Sequence, residues 1–117
     1  MSHKPKPPVE SWTAERCYIT ELINTADQPE VSLARARVEP GITTRLHQLS
    51  AYEWYIIERG HGLMRIGDEA PFRVGPGDTV AIPKDTPQQI TNTDNEDLHF
   101  LCVCVPKFSP ERYVSLE

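Results

Sequence analysis

The 117-residue sequence has only three cysteines, no long apolar run and no excess of positive charge. Three cysteines cannot form a complete disulfide framework, and no apolar segment approaches the roughly 20 residues that a membrane helix needs. The 12 Lys and Arg against 17 Asp and Glu leave a net charge of −5, which argues against a nucleic-acid partner because phosphates are neutralised by clustered cations. Residues 1–10 are polar, where a signal peptide would be apolar. We therefore expect a cytoplasmic protein with reduced thiols that binds neither membrane nor nucleic acid.

Proline is plentiful, with 11 prolines against 6 glycines. A proline inside a helix removes a hydrogen bond and clashes with the preceding turn, so a helical bundle is disfavoured. Short β-rich runs alternate with turn residues at the spacing of a β-sandwich or barrel. We expect one all-β domain over residues 16–117. Its predicted strands are residues 17–23, 31–38, 43–48, 53–59, 62–66, 79–82, 88–91 and 98–105, with a short strand at 72–74.

The two ends of the chain are the least regular parts of the sequence. Residues 1–15 are predicted to be a mobile or extended arm, because the first ten residues are rich in proline and have no apolar face. Residues 109–116 leave two alternatives open. They can form a final helical turn with Pro110 near its start, or an extended tail that packs Tyr113 and Leu116 on the barrel.

The chemically informative stretch begins at Gly41. His47 follows after five intervening residues, Glu53 after five more, and Gly60 after a further six. Side chains alternate along a strand, so His47 and Glu53 can face each other if their strands are antiparallel neighbours inside a barrel. An imidazole and a carboxylate in that arrangement are the beginning of a metal site.

A second block repeats this kind of spacing downstream. Gly77 is followed after five residues by Pro83, then by Gln88 and Asn92. Together the two blocks resemble the two motifs of the cupin superfamily, which are small barrels of the double-stranded β-helix, or jelly-roll, type. The resemblance covers roughly residues 17–106 and implies a cupin barrel.

The departures from the cupin motifs concern the metal ligands. The family typically holds a metal with three histidines and one glutamate, and the corresponding positions here are His47, Leu49, Glu53 and Gln88. Leu49 cannot bind a metal, and the amide of Gln88 is a weak ligand. His47, Glu53 and Gln88 thus remain as candidate ligands for a divalent metal such as Zn, Mn, Fe or Ni, and no organic cofactor is expected. The alternative is that these three side chains form a hydrogen-bonded polar cluster that lines a ligand pocket.

Strand parity adds further candidates for the pocket. Arg45 shares the His47 face and can bind a substrate carboxylate or phosphate, or else extend its charged end to the barrel mouth. Tyr55 shares the Glu53 face and can orient a ligand or donate a proton, or else be a core tyrosine with a satisfied hydroxyl. Apolar positions expected to complete the pocket are Ile90, Phe100, Cys102 and Cys104.

The outer surface offers a candidate interface. Trp54 and Ile56 face away from Glu53, and an exposed aromatic face there would indicate a partner surface. Small cupins are commonly dimers, so the resemblance implies a homodimer, with residues 31–38 and the N-terminal arm as candidate interface elements. His61 and His99 are expected to lie outside the lumen.

Two classes of function are compatible with these residues. The first is an enzyme acting on a small organic molecule in the barrel lumen, of isomerase or epimerase, lyase or dioxygenase type, with His47, Glu53 and Tyr55 as candidate catalytic residues. The second is a metabolite-binding or sensor protein without metal or catalysis. The two missing histidines argue against iron-dependent oxygen chemistry and less against acid–base chemistry by His47 and Glu53.

Overall fold

The computed structural model describes residues 7–117 and confirms the expected all-β architecture. The only helical element in these residues is one 3₁₀ turn, Pro110–Arg112. No helix in this part of the chain is long and apolar enough to cross a membrane. The strands are β1 (Glu10–Trp12), β2 (Tyr18–Ile23), β3 (Ser32–Val38), β4 (His47–Leu49), β5 (Tyr52–Arg59), β6 (Gly62–Ile66), β7 (Phe72–Val74), β8 (Thr79–Ile82), β9 (Gln88–Asn92), β10 (Leu98–Val105) and β11 (Tyr113–Ser115).

The strands form two antiparallel sheets, as in the jelly-roll barrel that the cupin resemblance implies. The six-stranded sheet has the order β1-β2-β3-β10-β5-β8, and the five-stranded sheet has the order β11-β4-β9-β6-β7. Neighbours such as β3 and β10 are distant in sequence, so the sheets are closed by long-range pairing. Strand β5 lies beside β10 and carries Glu53 and Tyr55. Strands β4 and β9 place His47 directly opposite Gln88 in the other sheet.

The core follows from strict alternation along the strands. In β5, Tyr55 and Ile57 are buried, whereas Trp54, which directly precedes Tyr55, is 41% exposed. Met64 and Ile66 alternate in the same way in β6, because successive side chains of a strand point to opposite faces of the sheet. The remaining core side chains are Cys17, Ala36, Val38, Val74, Val80, Ile82, Ile90, Leu98 and Phe100.

The main difference from the predicted strands lies at residues 43–48, where only His47–Leu49 form a strand. Thr43 makes an isolated bridge to Thr91. The Thr44 N–H still donates to Ile90 O of β9 at 2.9 Å, but the following amide groups leave the ladder: the Arg45 N–H donates to Glu15 O at 3.1 Å, and the Leu46 N–H donates to Glu117 Oε2 at 2.6 Å. The predicted ladder is broken because both ends of the chain bind this segment.

The N-terminal arm contributes to the barrel where it is described. Residues 1–6 of the predicted arm lie outside the described residues. Strand β1 pairs antiparallel with β2, and Arg37 makes ion pairs with both Glu10 and Asp97, at 2.8 and 3.0 Å. Residues 10–12 are therefore an edge strand of the six-stranded sheet, since β1 pairs only with β2 there.

The C-terminal segment resolves the alternative left open for residues 109–116. It forms the 3₁₀ turn first and then strand β11, in which Tyr113 pairs with Leu49 and Ser115 with His47. A short turn and an extended segment that packs Tyr113 are thus both present, whereas Leu116 is 41% exposed and does not pack as the second alternative expected. The extended part carries Tyr113 to the same strand that holds His47.

The outer face of the six-stranded sheet carries exposed apolar side chains. Tyr52, Trp54 and Val105 are each at least 40% exposed, and Val105 pairs with Tyr52 across β10 and β5. His99 is half-buried opposite Arg59, and the exposed His61 binds Asp94 at 2.9 Å. The homodimer expected from the sequence stays a prediction, with this face as its candidate surface.

Candidate functional site

A cavity of about 360 Å³ lies inside the barrel. Strands β2, β3 and β10 supply an apolar side, while β4 and β5 supply polar side chains. Ile23, one of the lining residues, is 41% exposed, so the cavity is open to solvent at this point. Apolar and thiol side chains on the lining include Cys17, Ile19, Leu49, Ala34, Ala36, Phe100, Cys102 and Cys104.

Glu53 stands at the centre of a buried hydrogen-bond network. Gln88 donates through Nε2 to Glu53 Oε1 at 2.9 Å, and the Tyr55 hydroxyl donates to Gln88 Oε1 at 2.7 Å. The Cys104 thiol donates to the other carboxylate oxygen, Oε2, at 3.5 Å. Gln88 thus uses both ends of its amide to join Tyr55 and Glu53, as expected for buried polar groups.

Burial raises the pKa of Glu53 to about 7. The carboxyl is 6% exposed, and removal from water disfavours the charged form. The hydrogen bond from Gln88 opposes this shift, while the charge of nearby Glu15 adds to it. Glu53 therefore exchanges its proton near neutral pH, which is the range in which a carboxyl group serves as both acid and base.

His47 is fixed by contacts at both ring nitrogens. Its Nδ1 lies 2.7 Å from Arg45 O, and because a carbonyl only accepts, Nδ1 carries a proton. Its Nε2 lies 3.2 Å from Glu15 Oε1. The two atoms are within ion-pair distance of each other. Burial raises the pKa of Glu15 while the adjacent His47 opposes that rise, so the pair forms an acid–base couple on the cavity wall.

Tyr113 covers the face of the His47 ring. The two rings stack with centroids 5.0 Å apart and planes inclined by 20°. The Tyr113 hydroxyl is buried and lies beside the Glu15 carboxyl group. Burial raises the pKa of Tyr113 to about 12. Tyr113 thus stays a neutral phenol that packs over His47 beside Glu15.

The structure brings most of the predicted site residues together. His47, Glu53, Tyr55, Phe100 and Cys102 line the cavity. The predicted residue Gln88 is 1% exposed and holds Glu53 and Tyr55 from behind the lining. Of the predicted polar cluster of His47, Glu53 and Gln88, the last two are hydrogen-bonded to each other. His47 contacts Glu15 instead.

Two predicted binding residues are placed elsewhere. Ile90 is fully buried in the core and does not line the cavity. Arg45 points away from the lumen, donating through Nε to Ala14 O at 3.0 Å and through Nη1 to Ser115 Oγ at 3.4 Å. The local chain around Arg45 leaves the regular ladder, so strand parity does not hold there.

Sequence reasoning missed Glu15 and Tyr113 as members of the site. Glu15 lies in the segment predicted to be an arm, and it reaches the cavity because its carbonyl accepts from the Arg45 N–H. Tyr113 is expected from the sequence only as a packing residue of the tail. The short β-rich run Tyr113-Val114-Ser115 is a signal for a strand, but nothing in the sequence indicates its pairing with β4.

The three cysteines are unbridged thiols in the cavity lining. Burial raises the pKa of Cys17 to about 12, and burial also raises that of Cys102 well above its ordinary value. Thiolate is the nucleophilic form of cysteine, so these side chains act as small apolar groups. Cys102 and Cys104 line the pocket, as the sequence predicts.

The donor set does not fit the four-ligand metal centre of the cupin motifs. Within residues 7–117 no three His, Cys, Asp or Glu side chains are grouped as such a site requires. Leu49 takes one ligand position in the cavity wall, and the amide of Gln88 in another is fully engaged with Tyr55 and Glu53. The His47 nitrogens are likewise engaged, with Arg45 O and Glu15. Histidine and carboxylate ligands with free lone pairs are what a firmly held divalent metal needs.

The fold and the two motif blocks define a single-barrel cupin. Residues 34–104 match the Cupin domain family, and this span is more than half of the chain, so the chain belongs to the cupin family. An uncharacterized protein from Methanocaldococcus jannaschii is 42% identical over 108 residues, which is 90% of this chain and 86% of that protein.

Solved structures show the same fold. Oxalate decarboxylase from Bacillus subtilis superposes with a TM-score of 0.81 at 23% identity, over 93% of this chain and 30% of that chain. A variant of Streptomyces Pac13 with uridine gives a TM-score of 0.81 at 13% identity, over 100% of this chain and 93% of that chain. Pac13 is described as a nucleoside dehydratase. The plu4264 protein from Photorhabdus luminescens gives 0.75 at 24% identity, over 95% and 91%. At these identities the likeness is one of fold.

Proposed function

We propose that this cupin binds a small organic molecule in the barrel lumen and catalyses proton transfer on it, as an isomerase, epimerase or lyase. The observation that carries the proposal is the presence of two acid–base groups, Glu53 and the His47–Glu15 pair, in the lining of one cavity. Such reactions need one group that removes a proton and a second that delivers one.

Glu53 is suited to the first of these roles. A general acid or base works best when its pKa lies near the operating pH, and burial brings the pKa of Glu53 to about 7. Gln88 and Cys104 fix the orientation of the carboxyl group. A carboxyl group held in this way can take a proton from a carbon or oxygen of a bound molecule and later return it.

The His47–Glu15 pair is suited to the second role. The hydrogen bond from Nδ1 to Arg45 O sets the orientation of the ring, so that Nε2 faces Glu15 in the cavity lining. Burial raises the pKa of Glu15, so a proton carried by its carboxyl group is available to a substrate oxygen. Transfer from a substrate to Glu53 and from this pair to another substrate atom balances as an isomerisation, or as an elimination when the second atom is a leaving oxygen.

Metal-dependent dioxygenase chemistry is not part of the proposal. Two of the four positions that hold the ligands in the cupin motif are occupied by Leu49, which cannot bind a metal, and by Gln88, whose amide is fully hydrogen-bonded. Oxygen activation at iron needs a firmly held facial triad. No step is therefore assigned to a metal. The similarity to Pac13 supports the proposal by analogy of fold, since that single-barrel protein is described as a dehydratase.

Solvent-deuterium incorporation tests the proposed chemistry even while the substrate is unidentified. Mixtures of small alcohols, carbonyl compounds and amines are incubated with the protein in D₂O, and NMR reports carbon-bound hydrogens that exchange or double bonds that form. We expect Glu53→Gln to abolish any such exchange and the exposed Glu58→Gln, a matched change on the same strand, to retain it. Exchange that persists in Glu53→Gln, or that disappears after chelator treatment of the wild type, would contradict the proposal.

A non-catalytic binding protein is the second candidate, because both oxygens of Glu53 already accept hydrogen bonds. A carboxyl group with satisfied oxygens can serve as a fixed polar wall of a binding site. This candidate predicts ligand binding in the lumen without deuterium incorporation. The same mixtures, analysed by both ligand binding and exchange, separate the two candidates.

A further inference from the structure

We propose that the lumen selects ligands that carry a protonated amine on a short apolar body. The inference builds on the ligand binding in the proposed function and names the class of ligand. It rests on two features of the cavity: the sign of its charges and its aromatic faces.

The cavity lining is acidic. Among the lining residues that the structure describes, Glu15, Glu21 and Glu53 are carboxylic acids and none is Lys or Arg. His47 is the one basic side chain among them and is paired with Glu15, so an anionic ligand such as a carboxylate or phosphate would meet more carboxyl groups than cations, which costs free energy at short range. Arg45 does not supply that partner, since its guanidinium binds Ala14 O and Ser115 outside the lumen.

Of the cations that neighbour the lining in sequence, Lys107 donates through Nζ to the lining residue Asn24 at 3.0 Å, and two arginines bind residues outside the lining. Arg16 donates through Nη2 to Glu117 and through Nε to Thr43 O, at 2.7 and 2.9 Å. Arg112 donates to Ser50 O at 2.8 Å. Glu53 accordingly has no basic partner of its own, since its hydrogen bonds come from the neutral side chains of Gln88 and Cys104. A buried carboxylate is stabilised by an adjacent positive charge, and a ligand ammonium group supplies it.

The rest of the lining is suited to the body of such a ligand. Aromatic side chains favour a cation near their faces and apolar groups elsewhere. At about 30 Å³ per water molecule, the 360 Å³ cavity has room for roughly twelve waters. A primary amine with an apolar body of six to eight carbons therefore fits within it. The aromatic lining side chains are Tyr55, Phe100, Phe108 and Tyr113.

Three probes of matched shape test the inference: benzylamine, benzyl alcohol and benzoate. Each is titrated at pH 8 into ¹⁵N-labelled protein, and backbone amide shifts report both the affinity and the location of binding. We expect benzylamine to bind about tenfold more tightly than benzyl alcohol, since charge-assisted hydrogen bonds are roughly twice as strong as neutral ones. Benzoate is expected to bind more weakly than either.

Variants separate the amine inference from the proposed function. Glu53→Gln should reduce benzylamine affinity about tenfold and leave benzyl alcohol unchanged, whereas Glu58→Gln, with the same change of net charge on the outer face, should preserve the preference. Ala34→Phe, which fills the lumen, should abolish binding of all three probes. Circular dichroism confirms the folding of each variant.

The outcomes then divide cleanly. Benzyl alcohol or benzoate binding as tightly as benzylamine, with shifts in the lumen that Ala34→Phe abolishes, overturns the amine inference and leaves lumen binding intact. A preference for benzylamine that Glu53→Gln leaves unchanged overturns it as well. No binding of any probe, or binding insensitive to Ala34→Phe, overturns both the inference and the proposed lumen site.

Discussion

The side chain of Gln88 donates to Glu53 Oε1 over 2.9 Å and so joins β9 of one sheet to β5 of the other. In the cupin motif this position holds a histidine ligand. Here its amide holds the carboxyl group in place and accepts a hydrogen bond from Tyr55. At this position the protein therefore has a member of a buried hydrogen-bond network where the cupin motif has a metal ligand.

The network predicts strong coupling between Tyr55 and Gln88. Tyr55→Phe should destabilise the wild type by about 1 kcal/mol, because Gln88 Oε1 loses its donor. Gln88→Leu should cost about 2–4 kcal/mol, because the buried Tyr55 hydroxyl and Glu53 both lose a partner. In the Gln88→Leu background, Tyr55→Phe should be neutral or stabilising. Urea unfolding of the four proteins measures the cycle, and Tyr52→Phe on the exposed face is the control. Additivity within about 0.3 kcal/mol would contradict direct coupling.

The raised pKa of Glu53 predicts that its contribution to the free energy of unfolding decreases as the pH rises. Its pKa is about 7 in the folded protein against an ordinary value of 4.5, so the folded state binds more protons between these values. Its contribution to stability is therefore fully present below pH 4.5 and is lost as the pH rises through about 7. Glu53→Gln removes this dependence. Relative to the wild type, the variant should gain on the order of 3 kcal/mol in unfolding free energy between pH 4.5 and pH 8. Urea unfolding of both proteins at each pH measures the difference in unfolding free energy between the variant and the wild type. A difference that stays constant, or that becomes smaller as the pH rises, would contradict the raised pKa of Glu53.

The fold was predictable because it depends on local signals. Alternating side chains identify strands such as β3 and β5, and turn residues such as Gly60 separate them. The spacing from Gly41 to Gly60 and from Gly77 to Asn92 identified the family, which the match over residues 34–104 confirms. The same alternation placed Glu53, Tyr55 and Phe100 on the inner face.

The site was only partly predictable, because its remaining members arrive from the ends of the chain. Glu15 reaches His47 through a hydrogen bond between Glu15 O and the Arg45 N–H, and Tyr113 reaches it through pairing of β11 with β4. Such contacts link residues more than 25 positions apart, and no periodicity encodes them. The same contacts break the ladder at Arg45, which is why strand parity misplaced that side chain.

The two altered ligand positions predict that a metal site can be restored. Leu49 lies two residues from His47 on β4 and on the same face, since both line the cavity. Leu49→His with Gln88→His should give stoichiometric Co²⁺ binding, visible as d–d absorption bands, at concentrations where the wild type shows none, because each imidazole adds a strong ligand. Each single variant should bind much more weakly than the pair, and His47→Ala in the double variant should abolish binding. Absence of Co²⁺ absorption in a folded double variant would mean that these positions do not converge.

Two motif glycines predict different costs for the same substitution. Gly60 and Gly77 both have positive φ angles, +85° and +88°, which disfavour any residue with a Cβ. An added Cβ at Gly60 would lie 2.8 Å from Asp97 O at the entry to β10, whereas nothing lies within 4 Å of one at Gly77. Gly77→Ala should cost about 1 kcal/mol of backbone strain, and Gly60→Ala about 3 kcal/mol, since the backbone of β10 must also move. Thermal and urea unfolding of both variants measure the difference. Equal costs would show that Gly60 is required only for its backbone angle and not for the close approach of β10.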